Sequence, residues 1–268
     1  MPIATDDFLQ LKIYIEQTLR IQCSNYKEDY IKRRLLSRMR STGTSTYEEY
    51  LRYVRQNAPE LENLRNALTI NVTEFFRDAE VYDLIKKEVI PGLFQSRKTI
   101  RIWCAGCSTG EEPYSLAMIL HDFMAADKTL SGHIYATDID EVVLKKAKDG
   151  IYTAKALAKL PEAQVIRHFT RLPDGNYQVK PHLQALIRFR PHDLMSGQPI
   201  SRFLDMITCR NVTIYFTEKQ KDELARLFHK ALIPGGYYIM GKTEYLGREV
   251  EGLFTPVNSL QKVYTRKE

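Results

Sequence analysis

IRIWCAGCSTGEEPYSLAM, residues 100–118, reads as a buried strand, a turn of small residues and the start of a helix. Ile100, Ile102 and Cys104 alternate into Ala105-Gly106-Cys107-Ser108-Thr109-Gly110. Glu111, Glu112 and Pro113 follow as first-turn helix residues, with Ser108 or Thr109 the expected N-cap. A strand that stops at a glycine turn and re-enters as a helix builds a ligand crevice at the carboxyl end of a sheet. Two carboxylates at the helix mouth oppose a phosphate, which seeks bare amides. They suit a ligand carrying an ammonium or a sulfonium, and S-adenosylmethionine is such a ligand. One acid would favour the helix dipole while the other accepts from the ammonium.

Outward from this stretch, strand and helix alternate from residue 99 onward. Strands are predicted at about 99–104, 133–137, 187–190, 203–208 and 235–241, with a last hairpin near 245–265. Helices are predicted near 111–125, 141–148 and 218–231. That alternation specifies an α/β doubly wound, Rossmann-like sheet over residues 99–268. Residues 150–185, with the turn Pro173-Asp174-Gly175-Asn176, break the rhythm and read as a small inserted β subdomain. Residues 1–70 read as an all-α domain, with Phe8, Leu11, Ile15 and Leu19 at helical spacing. Residues 27–40 form an amphipathic helix with Tyr30, Ile31, Leu35, Leu36 and Met39 facing inward and Lys32, Arg33, Arg34, Arg38 and Arg40 outward. Thr42-Gly43-Thr44 ends it, and Thr46 with Glu49 reads as a capping box. Residues 71–98 link the two parts, and NVTEFFRD (71–78) is expected to open a helix with Asn71 or Thr73 as its cap.

Composition narrows the class. Hydrophobic residues make up 44% and charged residues 27% of 268 positions, which fits a globular chain. No apolar run reaches the roughly 18–20 residues of a membrane helix. The N-terminus carries acids where a signal peptide has basic residues, so a cytoplasmic protein is expected. Cys104 and Cys107 form a C-x-x-C. Zinc would need a second ligand pair, which is missing nearby, and a thioredoxin-like first cysteine would begin a helix rather than end a strand. No metal is expected. A net charge of +6 suits an acidic partner without specifying nucleic acid.

Two further places carry chemistry. Asp138 ends the second strand, where doubly wound sites bind ribose hydroxyls, while Asp140 fits better as the N-cap of the following helix. The strand beginning at Asp205 ends in the polar cluster Cys209-Arg210-Asn211, with Tyr215 beyond it, at the edge where active-site groups collect.

Together NVTEFFRD (71–78), STGEEPYS (108–115), ATDID (136–140) and CRNVTIYF (209–216), in this order and at this spacing, resemble the CheR family of chemotaxis receptor methyltransferases. The resemblance spans nearly the whole chain, including the helical N-terminal domain and the inserted subdomain. It implies a class I S-adenosylmethionine-dependent methyltransferase that esterifies glutamate side chains of chemoreceptors and releases S-adenosylhomocysteine. It implies cofactor contacts at Asn71, Thr73, Arg77, Gly106, Glu112, Asp138, Asp193, Leu194, Cys209 and Arg210, with Arg77 and Tyr215 closest to the transferred methyl. Family members often carry Asn where this chain has Asp193. The resemblance also implies that the N-terminal helices hold the receptor's methylation helix, which the basic face of Lys32, Arg33, Arg34, Arg38 and Arg40 suits. In some members the inserted subdomain grips a tail peptide at the receptor's C-terminus. The turn in RLPDGNYQV is short beside tail-binding relatives, which points to a member that does not need the tail. A monomer is expected.

A glutamate carboxylate with a pKa of about 4.3 is already ionised at neutral pH, so this reaction needs no general base. Two rivals are a nucleic-acid methyltransferase and a non-catalytic cofactor-binding module. Against the first, the strand end CRNVTIYF lacks the Asn/Asp-Pro-Pro-Tyr loop that often serves a flipped base. Against a dinucleotide-dependent dehydrogenase, AGCSTG lacks the G-x-G-x-x-G spacing.

Overall fold

The computed structural model describes residues 5–69 and 72–268, so Asn71 lies outside the described residues. The chain divides into two compact units, Met1–Asn71 with Tyr215–Gln220, and Val72–Ile214 with Lys221–Glu268.

The first unit is built from α1 (Thr5–Leu19), α2 (Glu28–Thr42), α3 (Tyr47–Gln56) and α4 (Ala58–Leu68). Phe8, Leu11, Ile15 and Leu19 of α1 bury against Tyr30, Ile31, Leu35 and Met39 of α2, with Tyr50, Val54 and Leu64. Gly43 ends α2 in the left-handed region at φ +72°, a conformation that costs glycine least. The capping box forms: Glu49 N–H donates to Thr46 Oγ1 (3.1 Å) and the Glu49 carboxylate accepts from Thr46 N–H (3.2 Å). Two side chains of α2 depart from expectation. Leu36 is exposed, because it stands off the 31/35/39 stripe. Arg38 turns inward, donating to the buried Glu60 carboxylate at 3.0 and 2.6 Å, where Tyr50 also donates at 2.7 Å. A buried acid without a cation would be costly, and this requirement outweighs the periodicity of α2.

Residues 215–220 complete this unit. Tyr26 and Phe216 form an antiparallel bridge, Lys27 N–H donates to the Tyr215 carbonyl at 3.0 Å, and the Tyr215 ring packs 4.8 Å from Tyr30.

The second unit starts with α5 (Ala79–Leu84), a π turn at Ile85–Val89, and α6 (Ile90–Ser96). Next come β1 (Thr99–Ala105), α7 (Glu111–Ala126), β2 (Ser131–Asp138) and α8 (Glu141–Asp149). The insertion contains β3 (Ile151–Tyr152), α9 (Glu162–His168), β4 (Phe169–Arg171), β5 (Tyr177–Val179) and α10 (Pro181–Gln184). The chain then returns through β6 (Ile187–Pro191), β7 (Leu204–Cys209), α11 (Glu218–Ala231, of which this unit holds the part from Lys221), β8 (Leu232–Met240), β9 (Phe254–Asn258) and β10 (Val263–Arg266).

Seven strands form one sheet in the order β6-β2-β1-β7-β8-β10-β9, and the insertion forms a separate sheet, β3-β5-β4. Neighbours from β6 to β8 are parallel, and β10 pairs antiparallel with β8 and β9. Every residue of β7 is buried, as expected of a central parallel strand covered on both faces. Successive strands first step outward from β1 through β2 to β6, then restart on its other side at β7. The carboxyl edge at β1 is therefore the topological switch point, where such sheets open a ligand crevice.

A candidate active site at the carboxyl edge of the sheet

The turn after β1 is fastened to the end of β2. Gly106 and Cys107 N–H both donate to the Thr137 carbonyl at 2.8 Å, and Ser108 N–H donates to Asp138 Oδ2 at 2.8 Å. Gly106 has φ +83°, and a Cβ there would meet Val212 Cγ2 at 2.5 Å, so both conformation and the β7 loop require glycine. The N-cap of α7 is Gly110 at φ +99°, not Ser108 or Thr109. Ser108 is held at φ +49° by its bond to Asp138, and the Thr109 hydroxyl is spent on Glu111 Oε2 at 2.7 Å.

Asp138 and Asp140 divide their work as expected from their spacing. Asp140 caps α8, accepting from Val142 and Val143 N–H. Asp138 accepts one amide on each oxygen, from Ser108 and from Asp140 (3.1 Å). Burial raises the Asp138 carboxyl, an effect these amides oppose. A carboxylate has about four acceptor directions, more than the backbone amides around Asp138 use, so it retains acceptor capacity for a hydroxyl. His192 N–H donates to the Asp138 carbonyl at 2.9 Å. Asp193 and Leu194 follow two and three residues after Pro191, the β6 partner of Asp138, and Asp193 caps the following turn through Met195 N–H.

Glu112 and Arg210 form the other half of the site. Glu112 Oε1 accepts from Thr208 Oγ1 (2.7 Å) and Cys104 Sγ (3.3 Å), and Oε2 accepts from Arg210 Nη1 (3.1 Å). Arg210 is almost wholly buried; its Nη2 donates to the Asp78 carboxylate and to the Arg77 carbonyl, each at 2.8 Å. Its guanidinium also lies 5.3 Å over the Tyr82 ring. Burial alone would lower its pKa, but Glu112, Tyr82 and Asp78 outweigh that and keep it charged.

These bonds explain why residues 72–78 do not open a helix. Phe76 and Asp78 adopt positive φ (+51° and +59°), and α5 begins only at Ala79. Phe76 N–H donates to Ser115 Oγ, and Phe75 buries edge-on against Tyr152 and Phe169. Thr73 is half-buried in this segment, and the Arg77 side chain, also half-buried, donates to the Val72 carbonyl at 3.0 Å.

Sequence reasoning missed Asp78, Tyr82 and Glu244. Glu244 accepts from the Asn211, Val212 and Thr213 amides at 2.9, 3.0 and 2.7 Å, and from Gly241 N–H. It thereby shapes the loop after β7. Its only sequence signal is an acid close behind a strand end, GKTEYLG. Cys104, Cys107 and Cys209 are buried and free, and burial pushes all three thiols well up, away from thiolate chemistry. Tyr215 belongs to the helical unit, as described above.

The edge also holds buried polar atoms that the protein leaves unpaired, Ser108 Oγ, Asn211 Oδ1 and Arg210 Nε. Polar atoms buried without partners are rare and mark places completed by solvent or ligand. With the spare acceptors of Asp138 they form a donor and acceptor set that fits a nucleoside bearing an amino-acid moiety.

Residues 71–263 match the family described as "CheR methyltransferase, SAM binding domain", and residues 6–69 match "CheR methyltransferase, all-alpha domain". The chain is 35% identical over 248 residues to a chemotaxis protein methyltransferase of Listeria monocytogenes, covering 92% of each protein. It is 32% identical over 252 residues to chemotaxis protein methyltransferase 2 of Vibrio cholerae, covering 92% of this chain and 88% of that one. It is 34% identical over 245 residues to the chemotaxis protein methyltransferase of Escherichia coli, covering 88% and 83%. An S-adenosylmethionine-binding sheet and an all-α partner, matched in order over nearly the full length, leave one conclusion: the chain belongs to the CheR family of S-adenosylmethionine-dependent methyltransferases.

Proposed function

We propose that this enzyme methylates glutamate side chains of chemoreceptors, forming γ-methyl esters. The observation that carries the assignment of the site is Asp138: buried, fastened to the β1 turn, yet with acceptor capacity left over at the switch point. Asp138 would receive the ribose hydroxyls, helped by the neighbouring Asp193 and Leu194, and the Gly106 turn would admit the nucleoside closely. Glu112, held by Thr208 and Arg210, would accept from the ammonium of the methionyl moiety. Arg210 acts here as a positioning residue, since its Nη groups are committed to Glu112, Asp78 and the Arg77 carbonyl. Thr73 and Cys209 sit in the segments flanking it and would contact the cofactor with Asn71.

S-adenosylmethionine supplies an electrophilic methyl group when bound. The chain's own task is then alignment and exclusion of water, because the attacking carboxylate arrives ionised. Arg77 would orient that carboxylate, its backbone fixed by Arg210 while its side chain reaches only a carbonyl. Tyr215, which follows the β7 edge loop in the chain, would shape passage of the methyl group. On the receptor side, Arg33 and Arg40 are the exposed cations of α2 and would meet acidic helices, whereas Arg34 stacks 5.5 Å from Tyr30 and Arg38 is paired inward.

The test is transfer of labelled methyl from S-adenosylmethionine to chemoreceptor cytoplasmic fragments, with and without their C-terminal tails. Base-labile label on glutamate supports the assignment. Bound cofactor with no label on any fragment overturns it. Equal transfer to tailed and tailless fragments supports a tail-independent enzyme.

A further inference from the structure

Away from this edge, the fold gathers three histidines from distant parts of the sequence. His121 lies on α7, His168 ends α9, and His182 lies on α10. One ring nitrogen from each falls within 4.8 Å of the other two. His168 Nδ1 and His182 Nε2 are 3.1 Å apart, and the His121 ring centroid is 4.5 Å from that of His182. His168 is buried, and the other two are half-buried.

A cluster of packed, neutral imidazoles would account for part of this. The His168–His182 contact satisfies one nitrogen of each, but His121 Nδ1 remains buried without a hydrogen-bond partner. Burial disfavours the imidazolium form of all three, so each ring keeps one N–H and one lone pair, and ligation uses the tautomer that turns the lone pair into the cluster. Neutral imidazole is the ligating form. Zinc–nitrogen bonds of about 2.0–2.1 Å in a tetrahedron place ligand nitrogens about 3.4 Å apart. The His168–His182 pair already stands near that spacing, and the third nitrogen needs an inward movement of about 1.5 Å at most, given Zn–N geometry.

The surrounding charge is mixed. Arg167, Lys128 and Lys180 oppose a cation, while Asp122, next to His121 in the chain, favours one. Arg167 is itself paired with Asp122 at 2.9 Å, which removes the nearest repulsion and also occupies that carboxylate.

We propose that His121, His168 and His182 bind one divalent transition-metal ion of the zinc class, with water in the fourth position. The ligands come from α7 beside the main sheet and from two helices of the insertion, so the ion would cross-link the inserted subdomain to α7. This site is separate from the methyl-transfer residues and does not depend on their assignment.

The test is titration of the full chain with Zn²⁺ against a chromophoric chelator, with Co²⁺ absorption as the signature of coordination. The expected result is one equivalent bound, tetrahedral Co²⁺ bands, and affinity at least ~10-fold weaker in each of His121→Gln and His182→Gln. His168 is left intact because it is buried in the core. The four cysteines are buried, so they do not compete in the folded chain. Circular dichroism and retained methyl transfer verify that each variant is folded. Absence of saturable binding, or wild-type affinity in either folded variant, overturns the proposal.

Discussion

Arg210, at the end of β7, places its Nη2 2.8 Å from the carboxylate of Asp78, 132 residues earlier in the chain. The same guanidinium holds Glu112 on α7, so one buried cation joins three segments that meet at the crevice. Removing one member of a buried ion pair leaves the other charge uncompensated. Glu112→Leu also strands the Thr208 hydroxyl. Its expected cost is about 3 kcal/mol in urea unfolding, together with loss of cofactor binding. Wild-type stability in this variant would mean that the clamp contributes little.

Gly106→Ala combines a left-handed φ of +83° with a 2.5 Å approach to Val212. It should lower stability by about 1–2 kcal/mol and weaken cofactor binding. Adding Val212→Ala removes the steric contact but not the backbone strain, so the double variant should recover only part of the loss. Full recovery would show that φ at Gly106 is immaterial.

Acid sensitivity of the helical unit should trace to Glu60. Burial tends to raise its carboxyl, but the bonds from Arg38 and Tyr50 prevail and lower it. A carboxyl with a depressed folded pKa contributes stability that is present above its unfolded value of about 4.3 and disappears as pH falls through the folded one. Stability should therefore decline below about pH 4.3. Glu60→Gln should cost about 2–3 kcal/mol at pH 7 and flatten this decline. The measurement is denaturant unfolding of both proteins between pH 3 and 7.

Cofactor affinity should have an acid limb set by Asp138. Its carboxyl is raised by burial, so protonation begins above the usual Asp value of about 3.9 and removes a charged acceptor. Affinity measured by calorimetry should fall as pH decreases through that region. Asp138→Asn should weaken binding by about 10- to 100-fold and reduce the pH dependence, the scale of a hydrogen bond to a charged group. A flat profile shared by both proteins would remove Asp138 from the ribose.

The buried thiols should resist alkylation. Burial pushes Cys23 up to about 12, and Cys104, Cys107 and Cys209 are fully enclosed. Iodoacetamide at pH 7.5 should leave all four unlabelled in the native protein and label all four in denaturant. Rapid native labelling of Cys104 or Cys107 would reopen the redox reading of that pair.

The elements were legible where side-chain period and local caps agree. The alternation of Ile100, Ile102 and Cys104, the cap at Asp140 and the Thr46–Glu49 box each report on residues within a few positions, and each is formed as expected. The α2 faces failed at Arg38 because its partner, Glu60, lies on another helix. Over the described part of the helix expected at 71–78, residues 72–78 form none for a similar reason: Phe76 and Asp78 take positive φ in a segment held by Arg210, and no local pattern announces a bond to a residue 132 positions later. Among the described residues, four of the seven non-glycine positions with positive φ, Phe76, Asp78, Ser108 and Asn211, lie in the loops at this edge. Tertiary contacts that force such backbone are invisible to propensity. Glu244 and the three histidines escaped for the same cause, since neither has a spacing that a sequence can display.

The helical unit is discontinuous in the chain, because Tyr215–Gln220 completes it after the strands of the other unit. During synthesis, the ribosome must therefore make residues 72–214 before the first unit receives its last piece. At synthesis rates of about 5–20 residues per second that interval is roughly seven to thirty seconds. The N-terminal helices spend it without the Phe216 bridge and without the Tyr215 ring against Tyr30. An isolated fragment of residues 1–71 reproduces that waiting state rather than the finished unit, and its melting behaviour describes the nascent chain.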